Sequence, residues 1–347
     1  METILVLMHT EDDGTLGKPA RESLAAATSL QAALAGSTLT VGLVGADVQG
    51  AADSVASCGA DRFFGVAGAA FGQSRYATDA LAAEALCREV GANLVLAAGT
   101  SRWCRALPGV AHRVGGRADT HVTGLSVADG AVSIARWYYR QRMEATIRRT
   151  QHPWVVLTDP GCVAPWEGAS GAATVQVIAV EPPAACLRTA VTGFLAPAAD
   201  AQTIRPDADL LLVAGAGWTK TQADGTTHAP EAADLILAFL RKTRASLGGS
   251  KSLVDISGEG QAVLPFMTHL NQIGQTGATP RHPKGLATCC HGEEPHTVGW
   301  RFIGERRAVN LDPNCGWARG KADVLYVADA FAVMAKVNAL LGEQPPA

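Results

Sequence analysis

The sequence predicts an α/β fold of two domains, each a mainly parallel sheet flanked by helices, the first with an added antiparallel section. Three observations predict it. Short apolar runs alternate with helix-length segments along most of the chain. The run Leu94-Val95-Leu96-Ala97-Ala98-Gly99 is too apolar to have a wet face, as suits a strand covered on both sides. The stretch 131–138 instead alternates loosely between apolar and polar residues, which suits antiparallel pairing.

A length of 347 residues fits about two domains of roughly 100–200 residues each. The first is placed at 1–185, a linker at 186–206 and the second at 207–347. In the first, 4–8 reads as a strand, 20–35 as a helix with Leu/Ala periodicity and 39–44 as a strand closing on Gly45. Residues 51–57 read as helix, 59–66 as turn plus strand and 76–90 as a long helix. The buried run 94–99 leads directly into Thr100-Ser101-Arg102-Trp103-Cys104-Arg105, at the edge where ligands usually meet such sheets. Helix follows over 106–115, then strands from Asp119 to Ile147, then a core strand at 154–158. Residues 186–206 lack long periodicity and contain Pro197, hence the linker. The second domain opens with a strand at 209–214 and the turn Gly215-Ala216-Gly217-Trp218-Thr219-Lys220. A helix spans 229–245, with Leu235, Ile236, Phe239 and Leu240 towards the core. A turn at 249 runs into a short apolar segment ending at Asp255. The last strand is 322–329 and the last helix 330–341.

Composition excludes several classes. The chain is 48% hydrophobic and 18% charged, enough to bury substantial cores. A net charge of -3 argues against a nucleic-acid binder, which would show a basic stripe. No apolar run reaches the roughly 18 residues a membrane span needs. The N-terminus Met1-Glu2-Thr3-Ile4-Leu5-Val6 reads as a buried strand, not a signal peptide. Eight cysteines without CxxC spacing suggest reduced thiols, and so the cytoplasm.

The chemistry concentrates between Asn271 and Asp312. Gly274-Gln275-Thr276-Gly277 can bring backbone N–H groups and a hydroxyl close to a flat ligand, because glycine admits approach where a Cβ would block it. Leu286-Ala287-Thr288-Cys289-Cys290 then runs into His291-Gly292-Glu293-Glu294-Pro295-His296, a strand followed by a possible helix start, which is a common phosphate-holding geometry. Ala308-Val309-Asn310-Leu311-Asp312 closes the stretch. Upstream, Gly215-Ala216-Gly217 is half of a dinucleotide fingerprint, with Lys220 in place of its last glycine; a plain βα turn reads equally well.

These three motifs, in this order, resemble the flavin-binding domain of electron-transfer flavoprotein alpha subunits. That family carries Gly-Gln-Thr-Gly, then Ser-Gly-Ala-Ile-Gln-His, then Ala-Ile-Asn-x-Asp. The first motif is intact here, the second keeps Gly292 and His296, and the third is matched by 308–312. In the first domain Pro108 and Val122-Thr123-Gly124 also fit the family, with His121 replacing its Asp. The resemblance implies FAD in the second domain. It implies contacts from Gly215, Gly217, Ser250, Lys251, Gly274, Gln275, Thr276, Gly277, Gly292, His296, Asn310 and Asp329. Thr276 would meet the ring edge where electrons enter, His296 the pyrimidine edge, and Asn310 and Asp329 the adenosine or ribose. It further implies a heterodimer with a beta subunit. Electrons would come from a dehydrogenase of acyl-CoA or N-methyl-amine type and leave to a quinone reductase, so the chain would be a carrier with no catalytic residues of its own.

Four departures accompany the likeness. Ala216 stands where the family has an arginine near the cofactor. Lys251 replaces the arginine of Ser-Arg, keeping the charge but losing the planar fork of donors. Glu293 and Glu294 put carboxylates at the phosphate position, a repulsion of about 1 kcal/mol each in wet surroundings.

Other readings stay open. Ser250-Lys251 can be a surface turn, Asp329 the cap of the final helix and His296 an ordinary core or surface histidine. Cys289, Cys290, His291, His296 and Cys315 hold enough donors for a metal, but their spacing matches no usual zinc or iron–sulfur pattern. The alternative function is a flavin-less structural or nucleotide-binding subunit of a related complex. A free-standing nucleotide-dependent enzyme has no recognisable acid–base or nucleophile set to support it.

Overall fold

The computed structural model describes residues 2–139, 143–193, 204–205, 208–255, 262–274, 278, 280–288, 303–315 and 321–342. The chain divides into two compact units, Met1–Phe194 and Leu195–Ala347.

Among the described residues the first unit carries nine strands in one sheet. In chain order they are β1 (Thr3–His9), β2 (Thr38–Gly45), β3 (Arg62–Ala67), β4 (Leu94–Ala98), β5 (Arg117–Ala128), β6 (Ala131–Tyr138), β7 (Met143–Ile147), β8 (Trp154–Thr158) and β9 (Val175–Val177). The sheet order is β7-β6-β5-β8-β4-β1-β2-β3-β9. From β5 to β9 every pairing is parallel; β6 and β7 add antiparallel strands at the other edge. Helices α1 (Lys18–Ala33), α4 (Tyr76–Val90) and α5 (Ser101–Arg113) carry most of the cover, with short α2 (Gln49–Asp53) and α3 (Ala69–Gly72).

The two-residue period of a strand explains the packing. Ile4, Val6 and Met8 of β1 face the core under α1, with Leu24, Ala27 and Leu30. Leu5 and Leu7 face the opposite core under α4 and α5, with Leu86, Trp103 and Leu107. Helix α4 stops at Gly91, whose φ of 63 is the left-handed cap that glycine supplies at least cost. Strand β9, three residues at the sheet edge, carries no pattern that marks it in the sequence.

The second unit has five parallel strands among its described residues: β10 (Leu210–Ala214), β11 (Ser246–Gly249), β12 (His282–Thr288), β13 (Ile303–Asn310) and β14 (Val324–Val327). Their order is β11-β10-β12-β13-β14. Helices α6 (Ala229–Thr243) and α8 (Ala330–Gly342) cover one face, packing on Leu212, Ala214 and Val309; Leu211, Val213 and Ala308 line the other core. The five-residue α7 (Lys251–Asp255) follows β11. Strand β12 begins at His282, one residue before a proline. Pro283 is tolerated because the ladder bond at this point comes from the Lys284 N–H, which donates to the Asp209 carbonyl at 3.0 Å.

Candidate functional site

Among the described residues the strand order of the second unit reverses once, between β10 and β12. In open parallel sheets ligands settle at the carboxyl ends of the strands around such a point. The register aligns Ala214 with Gly249 and with Thr288, Thr288 with Val309, and Asn310 with Val327. Gly215, Ser250, Asn310 and Asp329 each lie within two residues of that line. Gly274 joins the same edge, since the Ile273 N–H donates to the Gly249 carbonyl at 3.1 Å. The Gly274 N–H donates to the Ala278 carbonyl and the Ala278 N–H to the Gln272 carbonyl, both at 2.8 Å. Gly274 has φ 109, a conformation open to glycine. Gln275, Thr276, Gly277, Gly292, Glu293, Glu294 and His296 lie outside the described residues.

The side chains at this edge have defined partners. Ser250 is buried; its Oγ accepts from the Leu253 N–H at 3.3 Å and its N–H donates to the Ala214 carbonyl at 3.1 Å. It therefore caps α7 and ties β11 to β10, while Lys251 begins α7 at the surface. Asp329 accepts from the Phe331 and Ala332 N–H groups at 3.4 and 3.0 Å, so it caps α8. Gly215 precedes, and Gly217 belongs to, a buried turn, Ala216–Thr219, that is one short 3-10 piece rather than the start of a long helix. Among the described residues no long helix starts directly behind this half-fingerprint, and Gly215 at φ -92 needs no glycine-only conformation.

Asn310 differs from the rest. It is 7% exposed, its Oδ1 accepts from the Asp312 N–H at 3.4 Å, and its Nδ2 has no hydrogen-bond partner among the described residues. A buried donor left unpaired costs roughly 1–3 kcal/mol. An acceptor oxygen on a bound molecule would remove that cost, and a flavin dinucleotide is rich in such oxygens.

Sequence reasoning gave Trp218 no role. Its side chain is fully buried, with Nε1 donating to the Thr288 hydroxyl at 2.9 Å and its ring 4.6 Å from that of Phe331. Thr288 in turn donates to the Val213 carbonyl at 3.2 Å. The indole is thus wedged at the reversal point between β10 and β12. The only signal was a tryptophan inside a glycine-rich turn that follows a buried strand.

In the first unit, Thr100 and Arg102 of the stretch after β4 have structural partners. Thr100 caps α5, accepting from the Trp103 N–H at 3.3 Å. Arg102 turns inward to Asp79 at 2.7 Å and to the Phe71 carbonyl at 2.6 Å. Burial pushes the Asp79 carboxyl above its usual range despite the bonds and charge from Arg102. Asp119, wholly buried, accepts from Arg136 at 3.0 Å, from Trp154 Nε1 at 2.8 Å and from Arg149. Burial alone would raise it, but the bonds from Arg149 and Trp154 and the two guanidinium charges hold it low. His121 sits on a bulge of β5 at φ 57, its Nδ1 3.4 Å from Asp159. Among the described residues no three His, Cys, Asp or Glu side chains are placed to hold a metal, and no helix is long and apolar enough to cross a membrane.

A family model described as the electron transfer flavoprotein domain matches residues 4–185. The chain belongs to the electron transfer flavoprotein family. The match falls wholly in the first unit of this electron transfer flavoprotein chain. Among curated proteins none matches it.

Proposed function

We propose that this chain is the alpha subunit of an electron-transfer flavoprotein, binding FAD at the carboxyl edge of the second unit's sheet. Members of the family carry flavin, form heterodimers and transfer electrons. The observation that carries the reading is the unpaired Asn310 Nδ2, buried at the same edge where Gly215, Ser250, Gly274 and Asp329 converge. The flavin supplies the redox chemistry; the protein sets its orientation, solvent access and potential. In this reading Asn310 donates to a cofactor oxygen, and Lys251 brings a cation to the edge that favours a negatively charged reduced ring. Gly274 with Gln275, Thr276 and Gly277 lets the backbone approach the ring, and Gly292 and His296 complete the contacts. The partner is a beta subunit, the electron donor a dehydrogenase of acyl-CoA or N-methyl-amine type, and the acceptor a quinone reductase. Cys58, Cys87, Cys104, Cys186 and Cys315 are free thiols, and in this reading the chain works in the cytoplasm.

One observation favours a second reading, a flavin-less structural or nucleotide-binding subunit. Trp218 fills the reversal point itself, and Ser250 and Asp329 are engaged as caps. Titration of the full chain with FAD, followed by flavin fluorescence, separates the two. The carrier reading expects binding that weakens roughly 2–10-fold in Asn310→Ala, the value of one hydrogen bond. The second reading expects no binding, or binding indifferent to Asn310.

A further inference from the structure

The loop between Lys220 and α6 is built around a histidine with a carboxylate at each ring nitrogen. Thr221 and Thr227 pair as an antiparallel bridge, and the Gln222 N–H donates to the Thr226 carbonyl at 2.8 Å. His228 closes the loop. Its Nε2 lies 2.7 Å from Asp224 Oδ2 and its Nδ1 3.1 Å from Glu231 Oε2. A neutral imidazole has one donor and one acceptor nitrogen, so it satisfies only one of these carboxylates. The doubly protonated ring satisfies both. Glu231 belongs to the first turn of α6, so the charged ring ties the loop to that helix.

The loop also grips the buried turn at the candidate cofactor edge. Gln222 Nε2 donates to the carbonyls of Gly217 at 3.0 Å and Lys220 at 2.6 Å. The His228 ring stands edge-on to Phe331 at 6.1 Å, and Phe331 packs on Trp218. The charged groups facing His228 are Asp224 from its own loop and Glu231 from α6; α8 contributes the Phe331 ring. Thr226 Oγ1 lies 3.2 Å from Nε2.

We propose that His228 is a pH-operated latch that positions the Gly215–Lys220 turn through Gln222. The imidazolium closes the loop between Asp224 and Glu231. Release of one proton to solvent leaves one carboxylate facing a lone pair and loosens the grip on Gly217. The hydrogen bond from Asp224, with its charge and the Glu231 contacts, raises His228 above 6.5. The Thr226 backbone bond and then the His228 bond hold Asp224 at about 2. The latch is therefore closed on the acid side of 6.5 and opens as pH rises through the higher folded value; the Asp224 arm survives until pH falls towards 2. Its consequence for cofactor affinity rests on the FAD reading above; the latch itself does not.

The test is a magnetic-resonance titration of the full chain without cofactor, from about pH 5 to about pH 9. It follows the His228 ring and the Gly217 and Lys220 amides. The latch expects all three to move with one midpoint above 6.5. Asp224→Asn should lower that common midpoint. Gln222→Ala should leave the ring titrating while the Gly217 amide stops following it. Both altered side chains lie on a surface loop, and dispersion of the remaining resonances reports that the variants fold. A Gly217 amide indifferent to the ring, or one that still follows it in Gln222→Ala, overturns the latch. Repeating the titration with FAD separates the claims: failure to bind FAD at every pH, with the coupling intact, counts against the cofactor reading alone.

Discussion

Trp218 donates its indole N–H to the hydroxyl of Thr288 at 2.9 Å, and both side chains are fully buried. This contact joins the ends of β10 and β12 at the one place where the second unit's strand order reverses. Among the described residues the indole therefore forms a wall at this point, with Gly249, Ser250 and Gly274 on one flank and Asn310 on the other.

Removing that wall should be costly. Trp218→Ala deletes a buried ring and leaves a cavity, a loss of about 3–5 kcal/mol. Trp218→Phe keeps a ring against Phe331 and loses roughly 1 kcal/mol for the hydrogen bond. Urea unfolding of the two variants checks the ranking; equal midpoints would show that a ring packed on Phe331 contributes nothing beyond the hydrogen bond.

Asp119 satisfies two arginines and a tryptophan from a wholly buried position. Asp119→Ala strands those donors and should cost about 3–5 kcal/mol. Because the folded carboxyl is held low, its contribution is complete above pH 3.8 and disappears as pH falls through the lower folded value. Acid unfolding of the wild type should carry this proton uptake, and Asp119→Asn should lack it.

Glu22 has the opposite sign. Burial raises its carboxyl above 4.5, against the bond it accepts from the Gly161 N–H at 2.7 Å. Stability attached to this group falls as pH climbs from 4.5 through the raised folded value, then stays level. Glu22→Gln removes the slope, so wild type and variant should diverge across that window in thermal melts. Parallel curves would show that Glu22 titrates as a surface carboxylate does.

Thr276→Ala is expected to move the flavin potential without disturbing the fold, since the resemblance places its hydroxyl at the ring edge. Redox titration and far-ultraviolet dichroism measure the two effects. An unchanged potential together with an unchanged transfer rate would put the ring elsewhere.

Much of the fold was legible because its strands are buried on both faces. Thr3–His9 and Leu94–Ala98 read as apolar runs since α1 covers one side and α4 and α5 the other. Ser246–Gly249 was hidden behind two glycines that look like a turn. They pair with Val213 and Ala214 of β10, and they are glycine because a Cβ on Gly248 would lie 2.7 Å from Ile273 and one on Gly249 2.4 Å from Met267. That constraint comes from side chains distant in sequence. The helix expected from 106 begins at Ser101, since Thr100 supplies the cap and Arg102 finds Asp79, a partner 23 residues away. Gly215, Ser250, Asn310 and Asp329 were legible as strand-end positions, because βα turns follow strands by rule. The partners were not: whether Ser250 and Asp329 cap helices, or Trp218 fills the reversal point, depends on what folds against them.

The most direct measurement is the visible spectrum of the chain purified with its beta-like partner, followed by extraction of the bound cofactor. The account predicts a yellow heterodimer that bleaches on reduction and releases FAD. A colourless heterodimer, folded and intact, would contradict it.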